Sequence, residues 1–295
     1  MVDEVDLKKP TLYSPLVIQG AHVVFAPGHP GSDDPGYRRH RSKIASAALN
    51  YRSGDPAPHL RYTAEEDAVW RRVRTALVDR HHDHVCAELR DSDRRLGLPT
   101  ERVPQLAEVS AALEELTGFR IAPTAGLAPL RAFYSAFADG VFHATQFLRH
   151  HSSSHFSPEP DMLHEVLGHG PHLASPRFAA LYRLAGETAQ RLETVSALQT
   201  LSRVFWFTME SGVMRESGAL KAYGAAILSS PSELENVPSA AVRPLSLEAI
   251  TAQDYDVTSH QSVLFAADSM EHLEDFLGEF LTNLDDYDTP GRIAA

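Results

Sequence analysis

Two histidines and a glutamate form the set of residues in this sequence that is best suited to metal chemistry. His164 and His169 share one short segment, and Glu210 ends the later segment Phe-Trp-Phe-Thr-Met-Glu. Two imidazoles and one carboxylate are the ligands of mononuclear non-haem Fe(II) oxygenases, and they leave coordination positions open for oxygen. Each residue taken alone is more often an ordinary core or surface residue. Together they predict an oxygen-activating Fe(II) site.

The spacing of the two histidines separates this pattern from that of the zinc proteases. In His-Glu-x-x-His the histidines are four residues apart and share one face of an α-helix. His164 and His169 are five residues apart, which corresponds to roughly 140° around a regular helix. Both rings can reach one ion only if the helix relaxes, and we expect it to end or loosen at Gly168. Asp161 is predicted to cap the start of this helix.

Glu210 is predicted to be buried, because nearly every side of its helix is apolar. The apolar residues around it are Leu201, Val204, Phe205, Trp206, Phe207, Met209 and Val213. A carboxylate in such surroundings is costly unless a cation or strong hydrogen-bond donors neutralise it. A metal ion would do this, and the guanidinium of Arg203 is the alternative partner.

Several longer segments resemble the pterin-dependent aromatic amino acid hydroxylases, the family of phenylalanine, tyrosine and tryptophan hydroxylases. Besides the residues above, they include His29–Gly31, Asp34–Arg38, Tyr62–Glu66, Val103–Leu106, Thr117–Arg120, Val141–Arg149 and Lys221–Ser230. The segments follow the family's order and span residues 29–284. The resemblance implies the catalytic fold of this family, which is mainly α with short β-strands in a single domain.

The resemblance also implies roles for individual residues. By this comparison His164, His169 and Glu210 are the iron ligands. Arg149 occupies the position that holds the substrate carboxylate, for which a planar guanidinium is well suited, and Asp161 the position that orients this arginine. The other positions that contact substrate are Ser157, Pro160, Trp206 and Ser229.

A second group of positions corresponds to the family's pterin site. It comprises Gly126, Leu127, Phe133, His143 and Glu165, of which Phe133 is expected to stack on the pterin ring. The cofactors that the resemblance implies are Fe(II), O2 and a tetrahydropterin, either tetrahydrobiopterin or a related pterin. Enzymes that recycle the oxidised pterin are implied as partners.

Some positions depart from the family pattern. Phe205 stands in place of a tyrosine, Ser211 in place of a phenylalanine, Gly170 and His172 in place of apolar residues, and Ala128 and Pro129 alter the pterin loop. None of these changes removes a metal ligand or Arg149. We therefore expect the chemistry to be kept and the shape of the aromatic pocket to differ. His172 is predicted to be a solvent-facing loop residue.

The predicted reaction is the 4-hydroxylation of free L-phenylalanine to tyrosine. Trp206 and the segment Lys221–Gly224 resemble the phenylalanine and tyrosine members of the family. The alternatives within the family are phenylalanine 3-hydroxylation, which gives meta-tyrosine for specialised metabolism, and tryptophan 5-hydroxylation. An inactive amino-acid-binding protein on the same fold and a zinc hydrolase are alternatives from other classes. The retained ligand set disfavours the first of these, and the histidine spacing disfavours the second.

The chain is acidic, with 27 Lys and Arg against 39 Asp and Glu among 295 residues, a net charge of −12. This balance disfavours nucleic acids and anionic membranes as partners. The sequence lacks an apolar run long enough to span a membrane, and its acidic N-terminus does not resemble a signal peptide. Cys86 is the single cysteine, which excludes an intramolecular disulfide and fits a packing role in a cytoplasmic protein.

The motifs interleave along the chain and so predict one catalytic domain at residues 29–284. Residues 1–28 are predicted to be an N-terminal extension and residues 285–295 a flexible tail. Neither a regulatory domain nor a tetramerisation helix is expected, and a monomer is predicted.

Helical periodicity predicts most of the secondary structure. The predicted helices are Glu65–Arg90, Val103–Leu116, Phe178–Leu198 and Met270–Leu284. Short strands are predicted at Phe119–Ala122 and within Ala252–Leu264. The histidine-rich segment His81–His84 is interpreted as the solvated face of a charged helix rather than as a metal site.

Overall fold

Helices form most of the architecture in the computed structural model, which describes residues 16–19, 22–25, 28–153, 157, 159–256 and 259–287. The α-helices are α1 (Pro35–Leu49), α2 (Ala64–His84), α3 (Ala87–Leu96), α4 (Leu106–Thr117), α5 (Leu130–Ser135), α6 (Gly170–Ala174), α7 (Pro176–Arg191), α8 (Val195–Phe205), α9 (Ala225–Leu228), α10 (Pro231–Asn236), α11 (Leu247–Ala252) and α12 (Met270–Asn283). Two π-helices occupy Leu163–His169 and Trp206–Glu210. The predicted fold class, mainly α with short strands, is confirmed.

Within the described residues the strands are short and form three small sheets. They are β1 (Leu16–Gln19), β2 (His22–Phe25), β3 (Arg120–Pro123), β4 (Val141–Ala144), β5 (Val213–Glu216), β6 (Ala219–Ala222), β7 (Ala241–Pro244) and β8 (Val263–Ala267). β1 and β2 form an antiparallel hairpin, β3 and β4 a parallel pair, and the rest a four-stranded sheet in the order β6-β5-β8-β7. β5 starts three residues after Glu210, the last residue of the second π-helix, so the four-stranded sheet anchors the chain that follows Glu210.

The predicted helix Glu65–Arg90 is two helices, which corrects the prediction. α2 starts with a capping box between Thr63 and Glu66 and ends at His84. Val85 then forms an isolated parallel bridge with Ala222 of β6, and Cys86 N–H donates to the Ala222 carbonyl at 3.1 Å. This pairing between distant parts of the chain interrupts a pattern that is helical in the local sequence. Cys86 is buried, in agreement with its predicted packing role.

The predicted helix Phe178–Leu198 is also interrupted. α7 ends at Arg191, and α8 begins after Thr194, whose side chain accepts a hydrogen bond from Ala197 N–H. The predicted strand at Phe119–Ala122 is confirmed as β3, and the helices at Val103–Leu116 and Met270–Leu284 are confirmed within three residues as α4 and α12.

Of the predicted strand region Ala252–Leu264, only Val263 and Leu264 lie in a strand within the described residues. These two residues begin β8, which pairs with β5 and β7.

His81 is buried, so the interpretation of His81–His84 as a solvated face is wrong for this residue. His81 lies one helical turn after the fully buried Leu77, and its Nε2 is 2.8 Å from the carbonyl oxygen of Leu228. His82 and Asp83 are exposed as predicted.

The structure does not test the predicted domain boundaries near residues 28 and 285, but it describes part of the chain on either side of them. The hairpin β1–β2 lies within the predicted N-terminal extension, and Val23 of β2 packs against Ala45 of α1. Residues 1–15 and 288–295 lie outside the described residues. Among the described helices, none combines the length and the hydropathy needed to cross a bilayer.

Candidate metal centre and active site

The first π-helix resolves the five-residue spacing of the two histidines. A π-helix forms hydrogen bonds between residues five apart, so side chains at this separation lie nearly above one another. His164 and His169 both fall in the π-helix Leu163–His169. Their rings lie 4.7 Å apart between centroids at an interplanar angle of 86°. The backbone therefore brings together two rings that a regular α-helix would separate.

Gly168 does not end this helix, which corrects the prediction. The π-helix continues into α6, which ends at Ala174. A Cβ at Gly168 would lie 2.5 Å from the carbonyl oxygen of Ala225. Glycine is needed there because α9 packs against the π-helix, rather than because the helix stops. The predicted cap Asp161 accepts a hydrogen bond from His164 N–H at 3.3 Å.

The second π-helix presents Glu210 at its last residue. Ser211, which follows, donates both its backbone N–H, at 2.9 Å, and its hydroxyl, at 2.7 Å, to the carbonyl of Trp206. The backbone bond joins residues five apart and so closes the π-turn. Ser211 therefore holds the end of the segment that carries Glu210.

The three predicted ligands converge on one point. The Nε2 atoms of His164 and His169 are 3.0 Å apart, and the carboxylate oxygens of Glu210 lie 3.6 and 3.3 Å from them, respectively. Transition-metal ions bind imidazole nitrogen at about 2.0–2.1 Å, so two ligand atoms at right angles lie about 3.0 Å apart. Glu210 Oε2 is also buried without a hydrogen-bond partner among the described residues. This donor set and its unpaired oxygen fit an Fe(II) ion.

Burial controls the protonation of the three side chains. It lowers the pKa of His164 to about 4, with a further contribution from His169, and it lowers the pKa of His169 to about 3. Both rings are therefore neutral near pH 7 and offer a lone pair to a metal. Burial raises the pKa of Glu210, and a bound cation would oppose this shift by stabilising the carboxylate.

Glu165 is a second carboxylate beside the two histidines, and the three side chains bring ligand atoms within 4.8 Å of one another. Its Oε1 already accepts a hydrogen bond from Thr145 N–H at 3.2 Å, and burial raises its pKa well above the usual range. Glu210 faces both Nε2 atoms and has an unpaired oxygen. The geometry thus favours Glu210 as the third ligand.

Arg203, the alternative partner for Glu210, is engaged elsewhere. It donates to the carbonyl of Gln253 at 2.5 Å, and its guanidinium lies 5.3 Å from the ring centroid of Tyr255.

His172 is fully buried, so its prediction as a solvent-facing loop residue is wrong. The helix continues past Gly168, which keeps His172 on the inner side of α6. Its Nδ1 is 3.0 Å from the hydroxyl of Tyr182, its Nε2 is 2.5 Å from the carbonyl oxygen of Tyr223, and its ring stacks on Phe178 at 4.8 Å. Burial lowers the pKa of His172 to about 3.

This burial makes the stability of the metal-free protein depend on pH. The folded-state pKa of His172 is below its ordinary value of 6.5, so below that pH the unfolded chain binds a proton that the folded chain does not. Stability therefore falls as the pH drops through 6.5. Between about pH 7.5 and 5.5 we expect wild type to lose about 1.4 kcal/mol more than His172→Leu does. Urea unfolding at both pH values measures the difference.

Leu173→Ala is the control for this comparison, because it removes buried apolar volume and no titratable group. Its free energy of unfolding should follow the pH dependence of wild type. An equal pH dependence for His172→Leu and wild type would contradict the burial of a neutral imidazole.

Arg149 and Asp161 form a buried ion pair next to His164, one of the candidate metal ligands. Nε and Nη2 of Arg149 donate to the two carboxylate oxygens at 2.8 and 2.7 Å, and its backbone N–H adds a bond of 2.9 Å. Burial alone would raise the pKa of Asp161, but the charge and hydrogen bonds of Arg149 lower it below the usual value. Asp161 thus orients the guanidinium, and Nη1 is not engaged in this pair.

The remaining predicted substrate residues differ in the contacts that they make. Ser229 is buried, with its Oγ 3.4 Å from His164 Nδ1. Pro160 accepts a hydrogen bond from the Thr145 hydroxyl through its carbonyl at 2.7 Å. Trp206 stacks on Tyr255 with ring centroids 5.2 Å apart. Ser157 is partly buried.

The predicted pterin residues offer an apolar and partly exposed surface. Phe133 is half-buried and makes T-shaped ring contacts with Phe137 and Phe142. Leu127 is 55% exposed. Nδ1 of His143 is buried without a hydrogen-bond partner among the described residues. Gly126 accepts a hydrogen bond from the Thr124 hydroxyl at 2.8 Å. A half-buried aromatic ring and an unpaired ring nitrogen are groups that a flat heterocycle such as a pterin could contact.

Tyr182 and Tyr255 are candidate site residues that the sequence does not reveal. Tyr182 lies in the apolar stripe of α7, which looks like ordinary core, and Tyr255 lies in a loop. Only the departure at His172 from an apolar family position points to a polar partner nearby.

Comparisons with known proteins agree with this geometry. The family model described as biopterin-dependent aromatic amino acid hydroxylase matches residues 17–288. Phenylalanine 3-hydroxylase of Streptomyces coeruleorubidus is 44% identical over 258 residues, which cover 88% of this chain and 92% of that protein. Tyrosine 3-monooxygenase of Homo sapiens is 40% identical over 262 residues, covering 87% of this chain and 49% of that protein. The chain thus spans about half the length of the human relative.

A solved structure has the same fold. The crystal structure of phenylalanine hydroxylase from Chromobacterium violaceum with bound oxidized Fe(III) superposes with a TM-score of 0.74 at 27% sequence identity. The match covers 86% of this chain and 96% of that one.

Proposed function

Because the chain belongs to the biopterin-dependent aromatic amino acid hydroxylases, we propose that it hydroxylates the aromatic ring of free L-phenylalanine. It is a monooxygenase that uses Fe(II), a tetrahydropterin and O2. The observation that carries the proposal is the convergence of His164, His169 and Glu210 within 3.0–3.6 Å beside the oriented guanidinium of Arg149.

In this proposal the metal ligands act as one group. His164, His169 and Glu210 would hold Fe(II), and the bound iron together with the tetrahydropterin would supply the activation of O2 for transfer of one oxygen atom to the ring. The ligands come from two helices that are packed into the core, so their positions do not depend on a surface loop.

Other residues of the chain position the two organic molecules. Arg149 binds the carboxylate of the amino acid, because Asp161 holds its guanidinium in one orientation. Trp206 contributes to the pocket for the aromatic ring and is itself held by stacking on Tyr255. Phe133 contributes its ring to the pterin site, and Glu165 lies beside His164 and His169. Enclosure of the ring by these groups excludes water from the reacting atoms.

We propose position 3 of the ring as the site of hydroxylation. The similarity to a phenylalanine 3-hydroxylase, which extends over 92% of that protein, supports this position over the 4-hydroxylation that the sequence predicts. Phe205, which stands where the family has a tyrosine, also bears on the choice between positions 3 and 4. It packs on Tyr134 and Tyr182 next to the metal ligands. Position 4 is the second candidate, which the overall resemblance to phenylalanine hydroxylases supports.

The product of phenylalanine turnover tests the proposed function and the ring position together. Metal-free protein supplied with Fe(II), tetrahydrobiopterin, O2 and phenylalanine is expected to form meta-tyrosine as its main product. Chromatography against ortho-, meta- and para-tyrosine and 5-hydroxytryptophan standards identifies the product. If para-tyrosine is the main product, the ring is hydroxylated at position 4 and the proposal of position 3 is wrong.

Parallel reactions with tyrosine and tryptophan serve as the control for substrate choice. Absence of turnover with all three amino acids would favour an inactive binding protein, and full activity with zinc in place of iron would overturn the oxygenase assignment.

A monomer in the cytoplasm remains part of the proposal. So do the enzymes that reduce the oxidised pterin, because a tetrahydropterin consumed in each turnover must be regenerated.

A further inference from the structure

A chain of buried polar groups leads from His169 away from the metal position. His169 Nδ1 is 2.7 Å from the hydroxyl oxygen of Tyr182, which is 3.0 Å from Nδ1 of His172. His172 Nε2 is in turn 2.5 Å from the carbonyl oxygen of Tyr223. Tyr182 and His172 are both 0% exposed, and His169 is 1% exposed. Solvent therefore does not compete for these contacts, and each polar atom depends on its neighbour in the chain.

The carbonyl of Tyr223 sets the direction of every hydrogen bond in this chain. A carbonyl oxygen only accepts, so Nε2 of His172 carries the hydrogen. A ring that is fully buried and stacked on Phe178 is neutral, and its Nδ1 must then be an acceptor. The hydroxyl of Tyr182 donates to that nitrogen, which leaves its oxygen to accept from Nδ1–H of His169. The lone pair of His169 is thereby placed on Nε2.

We propose that Tyr182 and His172 are positioning residues that hold His169 in the Nδ1–H tautomer, with its Nε2 lone pair directed at the metal position before any metal binds. A wrong tautomer would place a hydrogen where a ligand bond must form. The inference rests on the proposed function only in taking His169 as an iron ligand.

The two metal-facing histidines differ in how firmly they are held. The ring of His169 lies between Phe142, at 4.7 Å, and the edge of Tyr182, at 6.2 Å between centroids. His164 Nδ1 has a longer contact of 3.4 Å with Ser229 Oγ, which also bonds to the carbonyl of Ala225 at 2.9 Å. The polar chain therefore makes His169 the preformed ligand of the pair.

The tautomer can be measured directly in metal-free protein. With ¹⁵N-labelled histidine, long-range ¹H–¹⁵N correlation spectra distinguish protonated from unprotonated ring nitrogens. We expect His169 to carry its hydrogen on Nδ1 near pH 7 and His172 to carry its hydrogen on Nε2. A hydrogen on Nε2 of His169 would overturn the inference, whatever the variants show.

Variants test whether the polar chain supports metal binding. Tyr182→Phe removes the acceptor for Nδ1–H of His169, and Co²⁺ binding to metal-free protein should weaken about 10- to 100-fold. His172→Leu breaks the chain one step further away and should weaken it less. His172→Gln should restore binding, because one amide can donate to the Tyr223 carbonyl and accept from the Tyr182 hydroxyl.

Tyr134→Phe is the matched control for Tyr182→Phe. It removes one buried hydroxyl from the same aromatic cluster, where Tyr134 and Tyr182 both contact Phe137 and Phe205. Its hydroxyl bonds to Ser202 Oγ at 3.3 Å and not to a histidine. We expect Tyr134→Phe to bind Co²⁺ like wild type with the tautomer of His169 unchanged.

Equal Co²⁺ affinity and an equal tautomer in Tyr182→Phe and Tyr134→Phe would show that Tyr182 has only a packing role, and the inference would be wrong. These readouts require neither pterin nor turnover. Failure to hydroxylate phenylalanine would therefore contradict the proposed function, while the histidine spectra of the same protein decide this inference separately.

Discussion

Replacing Glu210 by glutamine is expected to abolish Fe(II) retention and hydroxylation while the fold persists. The carboxylate oxygens lie 3.3 and 3.6 Å from the Nε2 atoms of His169 and His164, and a neutral amide does not supply the charge that the ion requires. Loss of residues that merely support metal ligands costs about 10- to 100-fold in metal affinity. Loss of a ligand should therefore exceed this range. Metal content after gel filtration and initial rates of product formation measure the effect.

The metal-free variant gives an independent readout of the same assignment. Burial raises the pKa of Glu210, so its charge destabilises the folded protein when no cation is bound. Glutamine removes that charge, and we expect metal-free Glu210→Gln to be at least as stable as metal-free wild type. A lower thermal midpoint would mean that Glu210 has a structural partner instead.

Glu165→Gln is the matched control, because Glu165 is the second carboxylate beside the two histidines. It is expected to keep iron, since its oxygen is engaged with Thr145 N–H. If Glu165→Gln lost iron and Glu210→Gln kept it, Glu165 would be the metal ligand and Glu210 would not.

Arg149→Lys is expected to raise the KM for phenylalanine about 30- to 1000-fold, which corresponds to about 2–4 kcal/mol, with the KM for the pterin unchanged. Lysine keeps the charge but lacks the planar fork that can bind Asp161 and a substrate carboxylate together. Steady-state kinetics with each substrate varied in turn separate the two KM values. An equal increase in both would indicate general disruption of the site.

Two comparisons sharpen this test. Phenylalaninol lacks the carboxylate, so wild type should bind it weakly. Arg149→Lys should then weaken the binding of phenylalaninol much less than it weakens the binding of phenylalanine. Arg74→Lys is the control variant, because Arg74 makes a similar two-point pair with Asp93, at 2.9 and 3.0 Å, between α2 and α3. It should lower stability without changing the KM for phenylalanine.

The three side chains that converge could be predicted from the sequence, whereas the backbone that brings them together could not. His164, His169 and Glu210 stand out because a carboxylate in an apolar helix needs a cation. Their convergence depends on two π-helices, and helical periodicity offers no signal for these because it assumes 3.6 residues per turn. The wrong prediction for His172 has the same origin, since it assumed that the helix stops at Gly168.

Other errors arose where distant parts of the chain meet. The break between α2 and α3 exists because Val85 and Cys86 pair with Ala222 of β6, and the local sequence there favours a helix throughout. The local sequence marks Gly168 as a place where the helix should loosen, but glycine is needed there because of the carbonyl of Ala225 from α9. In both cases the deciding atom lies far away in sequence, so local patterns identify the residue and not its cause.

Hydrogen bonds between residues five apart close the π-turn, so it holds one more residue than a turn of α-helix. The spacing of His164 and His169 therefore depends on how many residues lie between them and not on which residues these are. Deleting Val166 or Leu167 would give the four-residue spacing of zinc proteases, and the turn would then have to close as α-helix for the residues after it to keep their positions. Among related proteins, an insertion or deletion in this turn would therefore change the metal chemistry more than replacement of any apolar residue within it.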